Sequence, residues 1–466
     1  MLNPKHYDCI IIGAGMSGLA AGIRLAMYNK KVVILEQHTL CGGLNSYYAR
    51  GNRKFDVGLH ALTNFVGPDE RGKPFNKLMK QLRIPYEAFK LHPQNYSVIQ
   101  FPDKKLKFTN EIDFLIEEIH LNFPQETDGF MSLLAHIKNF NEVDLTNEQI
   151  MAKMVVSTFI KDKSLIEMIF CPLLIYGSAW ENDMDFSQFV IMFKSIFLEG
   201  FSRPVNGVRT IIDLLLKRFE ECGGEIRFKA QVTRILSADN RVSALEVNGS
   251  EILNSDNIIS SMGLPETYAV IDQDSKAIHR TGNLSFTESI IIADKKPRDL
   301  GIDATIIFYN NRPHYLYQKP ESFNDFESAV VCFPNNFTYD EFDEGIFRIT
   351  NIANFTSWDK LLLESRLLYK EKKNEVFHQS KNILKNCGLQ PHYQVLFKDI
   401  FTPTTIKRYT GHFGGTVYGS TDKSRLGKTT MNGLYICGTD QGFLGIVGSM
   451  LSGISMANLH VLSSSL

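Results

Sequence analysis

The apolar positions change period repeatedly before residue 37, and the order of those changes predicts the opening architecture. Tyr7-Asp8-Cys9-Ile10-Ile11-Ile12 is a short apolar run with β-branched residues, as a buried parallel strand requires. Gly13-Ala14-Gly15-Met16-Ser17-Gly18 follows at once, then a helical stretch from Leu19 to Tyr28 and a second strand, Lys31-Val32-Val33-Ile34-Leu35-Glu36. At the far end Gly433 to Asp440 reads as a strand closing on a glycine and an acid. Gly442 to Ser449 then opens a final helix running through Leu462. Between these ends lie two insertions. The first, about 73–199, is helical in pattern, with apolar spacing in Phe75 to Leu82 and Ile112 to Phe123. The second, about 271–399, begins with β-rich runs such as Ser289 to Ile292 and Thr305 to Phe308, and ends in a helix from Trp358 to Cys387. The predicted class is α/β: a Rossmann-like domain carrying an inserted α+β domain, a mixed sheet with a helical lid.

The βαβ unit carries chemistry. It places G-x-G-x-x-G at a strand-to-helix turn and an acid 18 residues past the third glycine. Gly13 permits the tight turn, Gly15 lets backbone approach a pyrophosphate, and Gly18 lets helix and sheet pack closely. The helix N-terminus offers free N–H groups and the positive end of its dipole. Glu36 can accept both ribose hydroxyls of an adenosine and would repel a 2′-phosphate. Because strand, helix and acid all stand where the mechanism needs them, the fingerprint reads as a dinucleotide site. A signal peptide is rejected: Asp8 precedes the apolar stretch, glycines interrupt it, and no small-residue cleavage site follows.

Size and charge narrow the classes. The 466 residues suffice for two cores, and a net charge of −1 without a long basic run gives no support to nucleic-acid binding. Seven scattered cysteines without a CxxC pair point to a reducing compartment and to neither a zinc site nor a dithiol relay. The chain carries no HExxH and no paired-carboxylate signature, so no metal site is expected. No transmembrane helix is expected either, and the localisation read from this is cytoplasmic. The Phe/Met/Ile/Leu-rich stretches Met151 to Ile160, Leu165 to Tyr176 and Phe186 to Phe201 read first as buried core. They read second as a helical lip at a membrane surface, which would make the protein peripheral.

Which dinucleotide is bound is decided by residues beyond Glu36. A Gly42-Gly43 pair stands six residues on, followed by a hairpin-like Tyr47 to His60. The second helix N-terminus, after Gly442, suits the pyrimidine oxygen of a flavin. With Arg203 to Val208, Gly223 to Phe228, Gln231 to Ile235, Phe401 to Thr405 and Arg408 to Gly419, the arrangement resembles the FAD-dependent phytoene desaturase, carotene isomerase and retinol saturase family. That family is related more distantly to amine oxidases. The run Arg408 to Gly419 looks most like its isomerase and saturase branch.

The resemblance implies roles residue by residue. Gly13, Gly15, Met16, Ser17 and Gly18 would hold the pyrophosphate, and Glu36 with Gln37 the adenosine ribose. Gly42, Gly43 and Leu44 would pass close to the flavin nucleotide, and the backbone of Val232 would meet the adenine. Gly438 and Asp440 would lie along the ribityl-phosphate, and Gly445, Ile446 and Val447 would face the ring. Leu44 and Asn206 depart from the family pattern, where a polar residue and a glycine are common. The FAD domain would then comprise 1–72, 200–270 and 400–466, and the substrate domain 73–199 and 271–399.

The implied reaction is desaturation of a long apolar polyene or isoprenoid, most plausibly a carotenoid, with hydride passing to flavin N5 and a quinone or oxygen as acceptor. Redox-neutral isomerisation, or saturation by reduced FAD, is the near alternative. An amine or protoporphyrinogen oxidase, or a prenyl-binding protein without flavin, are further ones. His60 and His412 are the candidate catalytic side chains. Asp56 is expected to order the hairpin, Tyr409 and Tyr418 to pack, and Trp358 to anchor the second insertion.

Overall fold

In the computed structural model the described residues are 5–70, 72–144, 146–271 and 281–463. Five parallel strands form the central sheet in the order Glu225–Phe228, Val32–Glu36, Cys9–Ile12, Ile258–Ser260, Leu434–Ile436. Ile10 stands opposite Val33 on one side and Ile258 on the other, and Ile258 stands opposite Leu434. The strands Cys9–Ile12, Val32–Glu36 and Ile258–Ser260 are buried throughout. That is why they read as continuous apolar runs rather than alternating ones. The sheet thus draws on the beginning, the middle and the end of the chain.

The opening strand is shorter than its apolar run. Asp8 accepts the Lys31 N–H at 2.6 Å, and there the chain leaves one sheet for another. His6–Tyr7 belongs to a four-stranded sheet, paired with Glu251–Ser255, and Cys9 starts the central one. The helix Met16–Ala26 packs against the final helix Gly445–Met456 so closely that a Cβ on Gly453 would lie 2.0 Å from the Ser17 carbonyl. With its continuation Ala457–Leu462, this final helix is long and apolar enough to cross a membrane. However, 61% of it is buried inside the protein, as befits a core helix.

The second body is a seven-stranded mixed sheet in the order Val395–Phe401, Ser285–Ala293, Gly345–Ala353, Ser328–Cys332, Ile306–Asn310, Ser97–Gln100, Lys105–Phe108. Only Ile306–Asn310 with Ser97–Gln100 pairs in parallel. Helices between Ile112 and Phe193 cover one face, burying Phe170, Phe189 and Phe193 against Phe308, Val330 and Ile352. The other face carries Trp358, Val376 and Ile383 over Ile291, Val331 and Phe347.

Three expectations change. The first insertion is not helical alone, since its pair Ser97–Gln100 and Lys105–Phe108 extends the mixed sheet. Strands this short leave little periodic signal. The helix expected over Trp358 to Cys387 is two, Phe355–Glu364 and Arg366–Asn386. Ser365 is extended (φ −158°) and its hydroxyl accepts from Leu368 N–H, so a strong N-capping residue divides a continuous apolar pattern. In the Phe/Met-rich stretch, Lys163–Gly177 and Phe186–Phe193 are core helices, while Met151 and Met154 are exposed (48% and 61%).

Candidate functional site

At the carboxyl ends of the parallel strands, where strand order reverses about Cys9–Ile12, lies a cavity of about 280 Å³. This is the crevice in which open α/β sheets hold ligands. Gly13, Gly15, Met16, Ser17, Glu36, Gln37, Gly42, Gly43, Leu44, Val232 and Asp440 line it. Gly13 takes φ +92°, and a Cβ on Gly18 would lie 2.0 Å from the Gly13 carbonyl, so these two glycines fold the turn upon itself. Gly18 therefore packs rather than lines. Gly15 faces open space, and the parallel bridge Gly15–Gly42 joins the turn to the second glycine pair. Neither helix N-terminus at this site has a side-chain cap or an acid in its first turn, so both leave N–H groups for a ligand.

Glu36 has a double part. Its two oxygens accept N–H from Ala14 and from His38, each at 2.8 Å, so the carboxylate clamps the turn it was expected to serve. It is 8% exposed and remains on the cavity wall, where the other lone pair of each oxygen is available to a ribose. Asp440 is more fully engaged. It accepts from Ser420 N–H (2.8 Å), Leu264 N–H (2.6 Å) and Lys423 Nζ (3.2 Å), and is a strut of the wall. Gly438 stands behind Ser17 and does not line the cavity.

Leu44, Asn45, Thr439 and Ser449 form a wall common to this cavity and a second one of the same volume. The second contains Gly445, Ile446 and Val447 together with Phe286, Val330, Ile406, Val417 and Tyr418, and is mainly apolar. His60 lies here and His412 does not. His412 lines the dinucleotide cavity, its Nδ1 3.6 Å from Glu266. Burial works against its charged form, yet the Glu266 carboxylate outweighs burial and raises its pKa above the usual value.

His60 is the centre of a buried polar group. Nε2 is 3.1 Å from Thr350 Oγ1 and 3.6 Å from Glu288, and Nδ1 is 3.4 Å from the Tyr176 hydroxyl. Glu288 and Thr350 face each other on neighbouring strands, and Arg348, two residues before Thr350, bonds to Glu288 and to the carbonyls of Val57 and Leu59. Burial pushes the imidazole below its ordinary pKa against the pull of Glu288. Burial also opposes the Glu288 carboxylate, but Arg348 outweighs it and holds the group below the carboxylate range. The result is a neutral histidine beside a fixed anion. At another part of the wall, Glu199 follows the π-helical turn Lys194–Leu198 and accepts from Asn64 at 2.7 Å. Asn64 in turn meets Thr63 Oγ1 at 3.0 Å, and Thr63 lies beside Gly445. Burial raises the pKa of Glu199 despite the Asn64 bond.

Sequence reasoning missed Tyr176, Glu199, Glu288, Arg348 and Thr350. Two left a trace: Glu288 and Arg348 are the single charges in otherwise uncharged strands, Ser285–Ala293 and Gly345–Ala353. Asp56, expected to order the hairpin, ties the end of it to the Arg203–Val208 segment instead, pairing with Arg203 at 2.6 Å and accepting Val208 N–H at the start of a helix. Trp358 is fully buried, its Nε1 bonded to the Phe323 carbonyl, and Tyr418 packs with its hydroxyl on the Ile175 carbonyl. Tyr409 is half exposed at the rim.

A glycine cradle for a dinucleotide, joined through a common wall to an apolar cavity at a second uncapped helix N-terminus, defines an FAD-dependent oxidoreductase. Residues 11–82 match the NAD(P)-binding Rossmann-like domain family. The chain is a homologue of prolycopene isomerases, retinol reductases and phytoene desaturases. It is 25% identical to the chloroplastic prolycopene isomerase of Daucus carota over 97% of this chain and 80% of the relative. It is 22% identical to the all-trans-retinol 13,14-reductase of Danio rerio over 99% and 88%. With the lycopene-forming phytoene desaturase of Pseudescherichia vulneris it shares 24% identity over 56% of each chain. The solved structure of an oxidoreductase from Methanosarcina mazei shares the fold, with a TM-score of 0.67 at 16% identity over 97% of this chain and 99% of that one.

Proposed function

We propose that the protein changes the bonding of a long apolar polyene of the carotenoid or retinoid kind. The observation that carries this reading is the mainly apolar cavity at Gly445 to Val447, with the His60 group as the polar exception beside it. Bound FAD supplies a hydride acceptor when oxidised and a hydride donor when reduced. The chain's own residues do the rest. Phe286, Val330 and Val417 bind the hydrocarbon and exclude water. Once hydride has left an allylic carbon, neutral His60 is able to take the proton from the neighbouring carbon or, through Tyr176, to return one. Arg348 keeps Glu288 anionic, so the imidazolium formed on proton uptake has a partner at 3.6 Å. Residues 1–72, 200–270 and 400–466 form the flavin-binding part in this reading, and 73–199 with 271–399 enclose the substrate.

Desaturation was the first expectation. The reach of the likeness favours isomerisation or saturation, because the isomerase and the retinol reductase match along almost the whole chain and the desaturase along 56% of it. Anaerobic titration of the purified flavoprotein with phytoene, prolycopene and retinol separates desaturation from the other two. A polyene spectrum that changes only after the flavin is chemically reduced supports isomerase or saturase. Flavin bleaching by the polyene itself means desaturation, with a quinone or oxygen as the acceptor in turnover. No spectral change with any polyene would remove the substrate class.

A further inference from the structure

The break at Ser365 leaves an apolar surface that the fold does not cover. Leu361, Leu362, Leu363, Leu367 and Leu368 fall within eight residues around it, and none is buried. Leu363 is 81% exposed, Leu367 67% and Leu368 50%. Scattered exposed leucines are ordinary, but a contiguous set at one helix–helix corner marks a contact surface. Side chains this exposed have no flanking walls, so they stand out as projections rather than line a groove. A projection suits a medium that yields around it better than a folded partner with a fixed shape.

Charge points the same way. Lys360, Arg366 and Lys370 surround the leucines, and Lys407 and Arg408 stand exposed on the adjoining helix Pro403–Thr410. Asp359, Glu364 and Glu371 lie in the same stretch, and Glu364 reaches Lys360 at 3.8 Å. Among the described residues no carboxylate pairs with Arg366, Lys370, Lys407 or Arg408. Apolar projections ringed by unpaired cations match an anionic lipid surface.

The corner is also joined to the substrate cavity. Tyr369, next to Leu368, bonds through its hydroxyl to Thr402 and Thr404 at the start of Pro403–Thr410. Lys407 lies over the Phe355 ring at 5.1 Å, and its chain neighbour Ile406 lines the apolar cavity. One helix thus has the corner on one side and the cavity on the other.

We propose that the Leu361–Leu368 corner inserts into the headgroup region of an anionic bilayer and sets the Pro403–Thr410 helix at the surface from which an apolar substrate is drawn. The docking site stands apart from the Met151 to Phe201 lip that composition suggested. Binding itself is a property of the corner, and only its use for substrate uptake rests on the polyene reading.

The test is cosedimentation of the full-length protein with phosphatidylcholine vesicles, with and without phosphatidylglycerol. The variants are Leu363→Ser/Leu367→Ser/Leu368→Ser, Arg366→Gln/Lys370→Gln and, as a control at the exposed apolar stretch that composition suggested, Met154→Ser. The expected result is wild-type binding that requires phosphatidylglycerol, is lost at least roughly tenfold in the leucine variant, and is unaffected in the Met154 variant. The arginine–lysine variant should bind more weakly, and the difference from wild type should vanish at high salt. Equal binding by the leucine variant and wild type overturns the proposal, as does wild type that ignores anionic vesicles. Gel filtration that turns a wild-type dimer into a leucine-variant monomer also overturns it, by assigning the corner to a second copy. Activity on detergent-dispersed polyene keeps the two readings apart. If vesicle binding behaves as stated and no polyene reacts, the function falls and the docking surface stands.

Discussion

The two cavities have the same volume, about 280 Å³ each, but different construction. The dinucleotide cavity is largely main chain. Two glycine turns, one helix N-terminus and a carboxylate that grips the turn through Ala14 and His38 make its shape. The apolar cavity is side chain. His60, Tyr176, Glu288 and the pair Arg348 and Thr350 come from four separate stretches that only the folded mixed sheet brings together. A main-chain site fixes a shape for one invariant ligand. A side-chain site can be retuned one residue at a time, which suits relatives whose substrates and reactions differ.

If the first cavity depends on main chain, the smallest addition there should do the most harm. Gly18→Val is expected to have the largest effect, because its Cβ would stand 2.0 Å from a carbonyl that cannot move without undoing the Gly13 turn. Destabilisation beyond about 3 kcal/mol follows from overpacking of this kind, and the variant should appear in the insoluble fraction. A soluble, flavin-loaded Gly18→Val protein would break the comparison.

In the second cavity the damaging change is electrostatic. Arg348→Met leaves Glu288 buried without its cation, and losing one member of a buried pair costs about 3–5 kcal/mol. The expected loss should appear as a lowered Tm and be partly recovered by adding Glu288→Gln, which removes the orphaned charge. Recovery would place the damage in the charge rather than in packing. An unchanged Tm in the single variant would mean that water reaches Glu288 and solvates its charge.

Gly15→Ala sharpens the contrast with Gly18. Its Cβ meets nothing within 4 Å, so the fold should be untouched and Tm of the flavin-free protein unchanged. The methyl group points into space a pyrophosphate needs, and FAD affinity should fall roughly tenfold or more, as expected for loss of one close backbone contact. Calorimetric titration of the flavin-free protein reads this directly.

The same difference explains what was legible in the chain. Gly13, Gly15, Gly18 and Glu36 are spaced along a single βαβ unit, so main-chain geometry is written as local sequence. Gly42 and Gly43 could be placed because they follow that unit directly, and the final helix because its glycines resemble a known pattern. The His60 group had no such record. His60 is separated from Glu288 by 228 residues and from Thr350 by 290, and no periodicity encodes a pairing across that distance. His412 was grouped with His60 by residue type alone, and the fold puts them in different cavities. Ser365 shows the reverse failure: the apolar pattern was continuous, and one capping hydroxyl was enough to divide it.

Glu199 offers the finest test, because it lines the apolar cavity without an ion pair, with only the more distant pull of Lys73 to favour its charge. Glu288 has Arg348, whereas Glu199 has one Asn64 bond, and burial leaves its pKa raised. A raised carboxyl pKa means that folding favours the protonated form. The stability it confers is therefore full below the ordinary glutamate pKa and is lost as pH rises through the raised value. Glu199→Gln keeps an acceptor for Asn64 and removes the charge. The variant should match wild type in mild acid and exceed it by a few degrees in Tm at neutral pH and above, the smallest effect in this series. Identical Tm–pH curves for the two proteins would mean that Glu199 is hydrated and ionised in the folded state. The apolar cavity would then be open to water on that wall, unlike the wall at His60.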